Sequence, residues 1–164
     1  MDEALQILVD EHKNILKVIA ALNEKCNEEI DKEFFNKAIS FIKNYADKFH
    51  HAKEEDILFK ELGQVEMHCN PMQQMLHEHD LGRDFVKGME EGLASNDREK
   101  VKENARGYAH LLQEHIFKED QILYPMADGV LSPEKKKEIL EKSRQIRTNF
   151  PEIEKQLEFV NSLD

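Results

Sequence analysis

Two segments of this chain repeat one pattern of groups able to hold a metal ion. His50-His51-Ala52-Lys53-Glu54-Glu55-Asp56-Ile57-Leu58-Phe59 aligns without gaps on His115-Ile116-Phe117-Lys118-Glu119-Asp120-Gln121-Ile122-Leu123-Tyr124, and both read H-x-x-K-E-acid-x-I-L-aromatic. Upstream, the His of Glu11-His12 stands 38 residues before His50, and the His of Glu78-His79 stands 36 before His115. At about 100° per residue, side chains four apart on a helix project from one face. His50 with Glu54, and His115 with Glu119, can therefore point at one centre. Four helices carrying these segments would bring the imidazoles of His12, His50, His79 and His115 and the carboxylates of Glu54 and Glu119 into one core. Imidazole with carboxylate suits iron or manganese, and carboxylates able to bridge make a dinuclear centre natural. An unpaired carboxylate in a helical core costs several kcal/mol or takes up a proton, so a metal accounts for the pattern economically.

The elements that must position these groups are legible as helices. Leu5, Leu8, Val9, Ile15, Leu16, Ile19 and Leu22 recur at helical spacing and place His12 on the apolar stripe of a first helix ending near Cys26. Asp31 is the expected N-cap of a long second helix carrying Phe34, Phe35, Ile39, Ile42, Phe49 and Leu58 up to Gly63. Asn70-Pro71 announces a third helix through Met75, His79 and Val86 to about Gly92. Ser95-Asn96-Asp97 announces a fourth through Val101, Tyr108, Leu112 and His115, ending in the neighbourhood of Pro125 and Gly129. Short connections between four helices imply an antiparallel up-down-up-down bundle, so the expected fold is all-α, with residues 1–130 as the bundle. Ser132-Pro133 starts a further C-terminal helix broken near Pro151. Residues 131–164 are thus expected to pack on the bundle or mediate self-association through Phe150, Ile153, Leu157 and Val160.

Composition narrows the partners. With 164 residues, one domain is the default. Lys and Arg number 23 against 34 Asp and Glu, a net charge of −11, which argues against nucleic acid and anionic membrane surfaces as partners. The acidic start, without a basic or apolar leader, and the absence of a long apolar run point to a cytoplasmic protein. Cys26 and Cys69 form no CxxC pattern and read as ordinary thiols. No Ser or Cys nucleophile triad and no phosphate-binding Gly loop is present.

The paired H-x-x-x-E motifs, alternating with single E-H motifs, resemble those of hemerythrin-like (HHE cation-binding) proteins over roughly residues 3 to 128. That resemblance implies a left-handed four-helix bundle holding two non-haem iron ions, with manganese or zinc as substitutes. It implies His12, His50, Glu54, His79, His115 and Glu119 as ligands, with Glu54 and Glu119 bridging and an oxo or hydroxo group completing the bridge. The implied function is to bind, sense or react with dioxygen, nitric oxide or peroxide. The alternatives are an iron-dependent redox enzyme, an iron-centre repair or delivery protein served by a redox partner, or a metal-stabilised interaction module without redox chemistry.

One departure from that family bears on function. The oxygen-carrying members have a fifth His one turn from the third-helix ligand, whereas here Met75 and Arg83 stand four residues either side of His79. Octahedral counting then leaves about one more open position, which favours redox turnover over reversible carriage. Tyr108 and Glu55 are the candidates to fill it, and Arg83 is expected to pair with a carboxylate nearby. His51, rotated about 100° from His50 and matched by Ile116 in the repeat, is expected to be a bystander. His68, His77 and His110 are expected to be solvated.

Overall fold

The computed structural model describes residues 1–67 and 70–163, and every regular element among them is helical. The readings of His68 and Cys69 lie outside the described residues. The first helix, α1 (Glu3–Lys25), is capped by the Asp2 carboxylate, which accepts from the Ala4 N–H. Next, α2 (Lys32–Phe41) is capped by Asp31 accepting from the Phe34 N–H. It runs on without a break through the π-helical stretches Ile42–His51 and Glu54–Leu58 into α3 (Phe59–Leu62). After Asn70, whose side chain accepts from the Met72 N–H, α4 (Met72–Ala94) begins. Asp97 caps α5 (Arg98–Lys118), which continues through a π-helical stretch, Glu119–Leu123, into α6 (Tyr124–Val130). Ser132 caps α7 (Pro133–Thr148), and α8 (Glu152–Asn161) follows the break at Pro151.

Pro125 lies inside a continuous helical run rather than at its end. A proline in a regular α-helix lacks its N–H and crowds the carbonyl of residue i−4. Here the preceding turn is π-helical, with the Tyr124 N–H donating to the Glu119 carbonyl, and the wider turn makes room for the ring.

Two apolar clusters hold the helices together. One includes Ile15, Ile19, Leu22, Phe35, Phe41, Phe49, Val86, Tyr108 and Leu112. The other includes Leu5, Leu8, Leu58, Leu62, Met75, Leu123 and Tyr124. Along the chain, α1 and α4 pass from the second cluster to the first, while the 32–62 rod and the α5–α6 run pass from the first to the second. At each crossing stand the buried polar residues: Glu11 and His12; His50, His51, Lys53 and Glu54; Glu78 and His79; His115 and Glu119. The apolar clusters thus sandwich one polar layer. Helix α4 lies along α5, and α1 also packs on α5. At Gly92 an added Cβ would meet the Val101 backbone nitrogen at 2.9 Å, so this close approach of α4 to the start of α5 requires glycine. The C-terminal helices lie against the rest of the chain, α7 on α1 and the 54–58 stretch, and α8 on α1, α2 and the 42–51 stretch. No helix among the described residues is long and apolar enough to cross a membrane.

Candidate metal centre

The six residues singled out by the repeat meet in the polar layer, all essentially out of contact with solvent. Together with His51 they form two groups, within each of which the donor atoms lie within 4.8 Å of one another. His12, His50 and Glu119 make one; His51, Glu54, His79 and His115 make the other. The carboxylates join the groups. Glu54 Oε1 is 3.4 Å from His50 Nε2 and 3.6 Å from His79 Nε2. Glu119 Oε1 is 3.2 Å from His12 Nε2 and 3.1 Å from His115 Nε2. Each carboxylate therefore touches one imidazole of each group, the arrangement a bridging ligand requires.

Despite these short separations, Glu54 Oε1, His79 Nε2, His115 Nε2 and both carboxylate oxygens of Glu119 are buried without a hydrogen-bond partner. Buried polar atoms are normally satisfied. Donors about 2.1 Å from one ion and at right angles to each other lie about 3 Å apart, so the spacings match the edges of a coordination shell. The residues present fit a pair of cations. Their charge argues the same way. Two carboxylates in one dry core cannot both ionise comfortably. Burial and the neighbouring Glu119 push Glu54 well above the usual range, while for Glu119 the effect of burial is outweighed by the charge of His115, which holds it well below.

Around these donors the remaining motif positions find their purpose. His50 Nδ1 is 2.8 Å from Glu11 Oε1, and the Lys53 ammonium pairs with the other Glu11 oxygen while lying 3.8 Å from the centre of the Phe49 ring. The second half repeats this, with His115 Nδ1 2.8 Å from Glu78 Oε1 and Lys118 paired to Glu78. The acid after each glutamate serves the opposite half: His12 Nδ1 is 2.7 Å from Asp120 Oδ1, and His79 Nδ1 is 2.7 Å from Glu55 Oε2. With Nδ1 engaged by a carboxylate, each imidazole presents Nε2 to the centre. Partners of this kind fix the tautomer and raise ligand basicity.

The Glu78, His115 and Lys118 group also sets a pH window for the metal-free protein. Burial of Glu78 is outweighed by hydrogen bonds from His115, Lys118 and Gln74, which draw it from 4.5 down to about 2. Burial of His115 is outweighed by Glu119 and Glu78, which lift it from 6.5 to about 9. A depressed carboxylate contributes stability above its ordinary value and loses it as pH falls. A raised histidine contributes stability below its ordinary value and loses it as pH rises. This group therefore contributes fully between pH 4.5 and 6.5, falling off towards about 2 and towards about 9. Urea midpoints of the chelator-treated protein should decline on both sides of that window. A midpoint that climbs steadily from pH 6.5 to 9 counts against these pairings.

Three expectations need correction. His51, expected to be a bystander, is buried, its ring stacks 3.8 Å from that of His79, and it stands in the four-residue group that could hold a metal ion. Glu55 does not fill a ligand position, since it binds the outer nitrogen of His79 and the guanidinium of Arg83. Tyr108 is buried beside the centre, and its hydroxyl makes no hydrogen bond to the six residues among those described. Arg83 does pair with carboxylates, those of Asp47, Glu55 and Asp80. His77 and His110 are exposed as expected.

The signal for His51 was present. Glu54 stands three residues after His51 and four after His50, and both spacings share a helix face. Reading rotation from His50 alone hid this. Tyr124 was missed for a different reason. Its hydroxyl donates to Glu54 Oε2 at 2.8 Å and lies 3.4 Å from His12 Nε2. Five residues after Glu119, a regular α-helix would turn it away. The π-turn, which closes on residue i+5, brings it back over the centre. The same turn recurs in the other half, where the Phe59 N–H donates to the Glu54 carbonyl.

A cavity of about 140 Å³ backs onto His51 and His79 and is walled by Gly82, Val86 and Tyr108, with Arg83 at its rim. The repeat-related positions for Gly82, Val86 and His51 are Ile15, Ile19 and Ile116, all buried, large and apolar. The opening therefore belongs to one half of the repeat.

Comparison with curated proteins and with solved structures returns no match. The family model described as hemerythrin HHE cation binding domain matches residues 3–127, a span that takes in both groups of donors. The chain belongs to the hemerythrin HHE cation-binding domain family.

Proposed function

We propose that the chain is a non-haem di-iron protein that binds, senses or reacts with dioxygen, nitric oxide or peroxide. In this reading residues 1–130 form an up-down-up-down four-helix bundle and residues 131–164 pack upon it. Five buried, unpartnered donor atoms converging in a layer spanned by two carboxylates carry this reading. His51, His79 and His115 would hold one ion, His12 and His50 the other, and Glu54 and Glu119 would bridge them. A ferrous pair supplies electrons and open positions for a small ligand. The protein supplies orientation, through Glu11, Glu55, Glu78 and Asp120, and a dry apolar shell on either side of the polar layer.

His51 alters the expected balance. Were all five imidazoles and both carboxylates to hold an octahedral pair sharing one oxygen, about one position would stay open, on the side of His12 and His50. Reversible binding thereby regains weight. The redox-enzyme reading draws support from the cavity behind His51 and His79, which offers a small solute a way towards the centre. Visible spectra of protein loaded anaerobically with Fe(II) separate these readings, recorded before and after dioxygen and again after its removal. A charge-transfer band that appears and then reverses identifies a binding protein. A band that persists identifies oxidation of the pair, as an enzyme or redox sensor requires. The absence of any band, with no iron retained, sinks the di-iron reading.

A further inference from the structure

The two halves of the repeat are not equivalent at the centre. One half-group has four donor residues, His51, Glu54, His79 and His115. The other has three, His12, His50 and Glu119. The difference follows the sequence, because the position matching His51 is Ile116. The aromatic that ends each motif differs as well, but in the opposite sense. Phe59 stacks on His79 with centroids 6.2 Å apart and rings 18° from parallel; Tyr124 stacks on His12 at 5.5 Å and 13°. The half with the extra imidazole has the bare ring, and the half lacking it has the ring with a hydroxyl.

That hydroxyl is fully buried with its tyrosine. It lies 2.8 Å from Glu54 Oε2 and 3.4 Å from His12 Nε2, close to the roughly 3 Å that separates neighbouring positions of a coordination shell. A buried phenol O–H needs an acceptor. In the metal-free protein that acceptor is Glu54. Once Glu54 is shared between two cations its oxygens are engaged, and the O–H has a second direction available, towards the least occupied side of the centre.

We infer that Tyr124 is the specificity-determining residue of the centre, donating a hydrogen bond to a small anionic ligand held on the side of His12 and His50. This rests on the di-iron reading above. Such a ligand would be a short anion with a terminal acceptor atom, of the size and charge of azide or hydroperoxide. Neutral ligands without a good acceptor would gain little from Tyr124. Phe59, on the other side, offers no such contact.

Azide is the probe, titrated into the ferric-loaded full chain. Tyr124→Phe keeps the ring stacked on His12 and removes only the hydroxyl. The expected result is an azide Kd raised about tenfold, the loss anticipated for one hydrogen bond to a charged group, with two irons per chain retained. In the wild type the azide vibration should shift on transfer from H2O to D2O, and in Tyr124→Phe it should not; a purely structural tyrosine would not produce that difference. Unchanged azide affinity overturns the inference, as does loss of iron from Tyr124→Phe, which would make the tyrosine a support for Glu54. Tighter azide binding by the variant, with a phenolate band in the azide-free wild type, would make Tyr124 a ligand rather than a donor, and also overturns it. Wild-type protein holding two irons but no azide defeats this inference alone. Wild-type protein that never holds two irons defeats the di-iron reading beneath it.

Discussion

Glu119→Ala should reduce iron uptake from two ions per chain to at most one and should abolish the stabilisation that iron confers. Glu119 is the more exposed to this test of the two carboxylates, because both of its oxygens are buried without a partner and Oε1 alone lies within 3.2 Å of an imidazole from each group. In the di-iron reading, removing it would take a donor from both ions at once. For the wild type, iron at a thousandfold excess over its dissociation constant stabilises the folded state by about 4 kcal/mol. In a chain of this size that corresponds to a rise in Tm of roughly ten degrees. Thermal unfolding with and without Fe(II), with iron counted after desalting, measures both effects. Retention of two irons by Glu119→Ala means that the carboxylate is no bridge and that the ligand set has been misassigned. A variant that fails to fold would leave the question to Glu54→Ala. Tyr124 already satisfies one oxygen of Glu54, and the same loss of the second iron is expected there.

His51→Ile should weaken the binding of one iron by at least about a hundredfold while leaving the other in place. Isoleucine is what the repeat itself carries at the matching position, Ile116, which is buried and well tolerated. The substitution therefore preserves an apolar, similarly sized group and removes only the nitrogen. Changes to groups that merely orient a ligand cost about ten- to a hundredfold in metal affinity, and loss of a ligand should cost more than that. Competition with a graded series of chelators would resolve the two ions. If both irons are held as tightly as in the wild type, His51 is only a ring packed against His79, and the centre has four imidazoles rather than five. The stacking distance of 3.8 Å permits either role, so it is the metal affinity that decides.

Much of this centre could be read before any coordinates. Six of its residues came from one repeated pattern, an E-H pair followed by an H-x-x-x-E segment, because side chains that share one face of a helix must recur with its period. The all-helical fold followed from apolar spacing and from cap residues, and Asp31, Asp97 and Ser132 all cap where expected. Those are local properties, set by residues within a turn or two of one another. Tertiary structure decided the relations that cross the chain. Nothing in the repeat says that Asp120 orients His12, 108 residues away, or that Glu55 orients His79 in the other half. Nor does it say that Glu54 spans His50 and His79 while Glu119 spans His115 and His12. These depend on how the helices lie side by side. Tyr124 depends on a subtler matter, the widening of a helical run into a π-turn. A fixed rotation per residue places it away from the centre, and that rotation fails at this turn because the hydrogen bond there closes five residues apart.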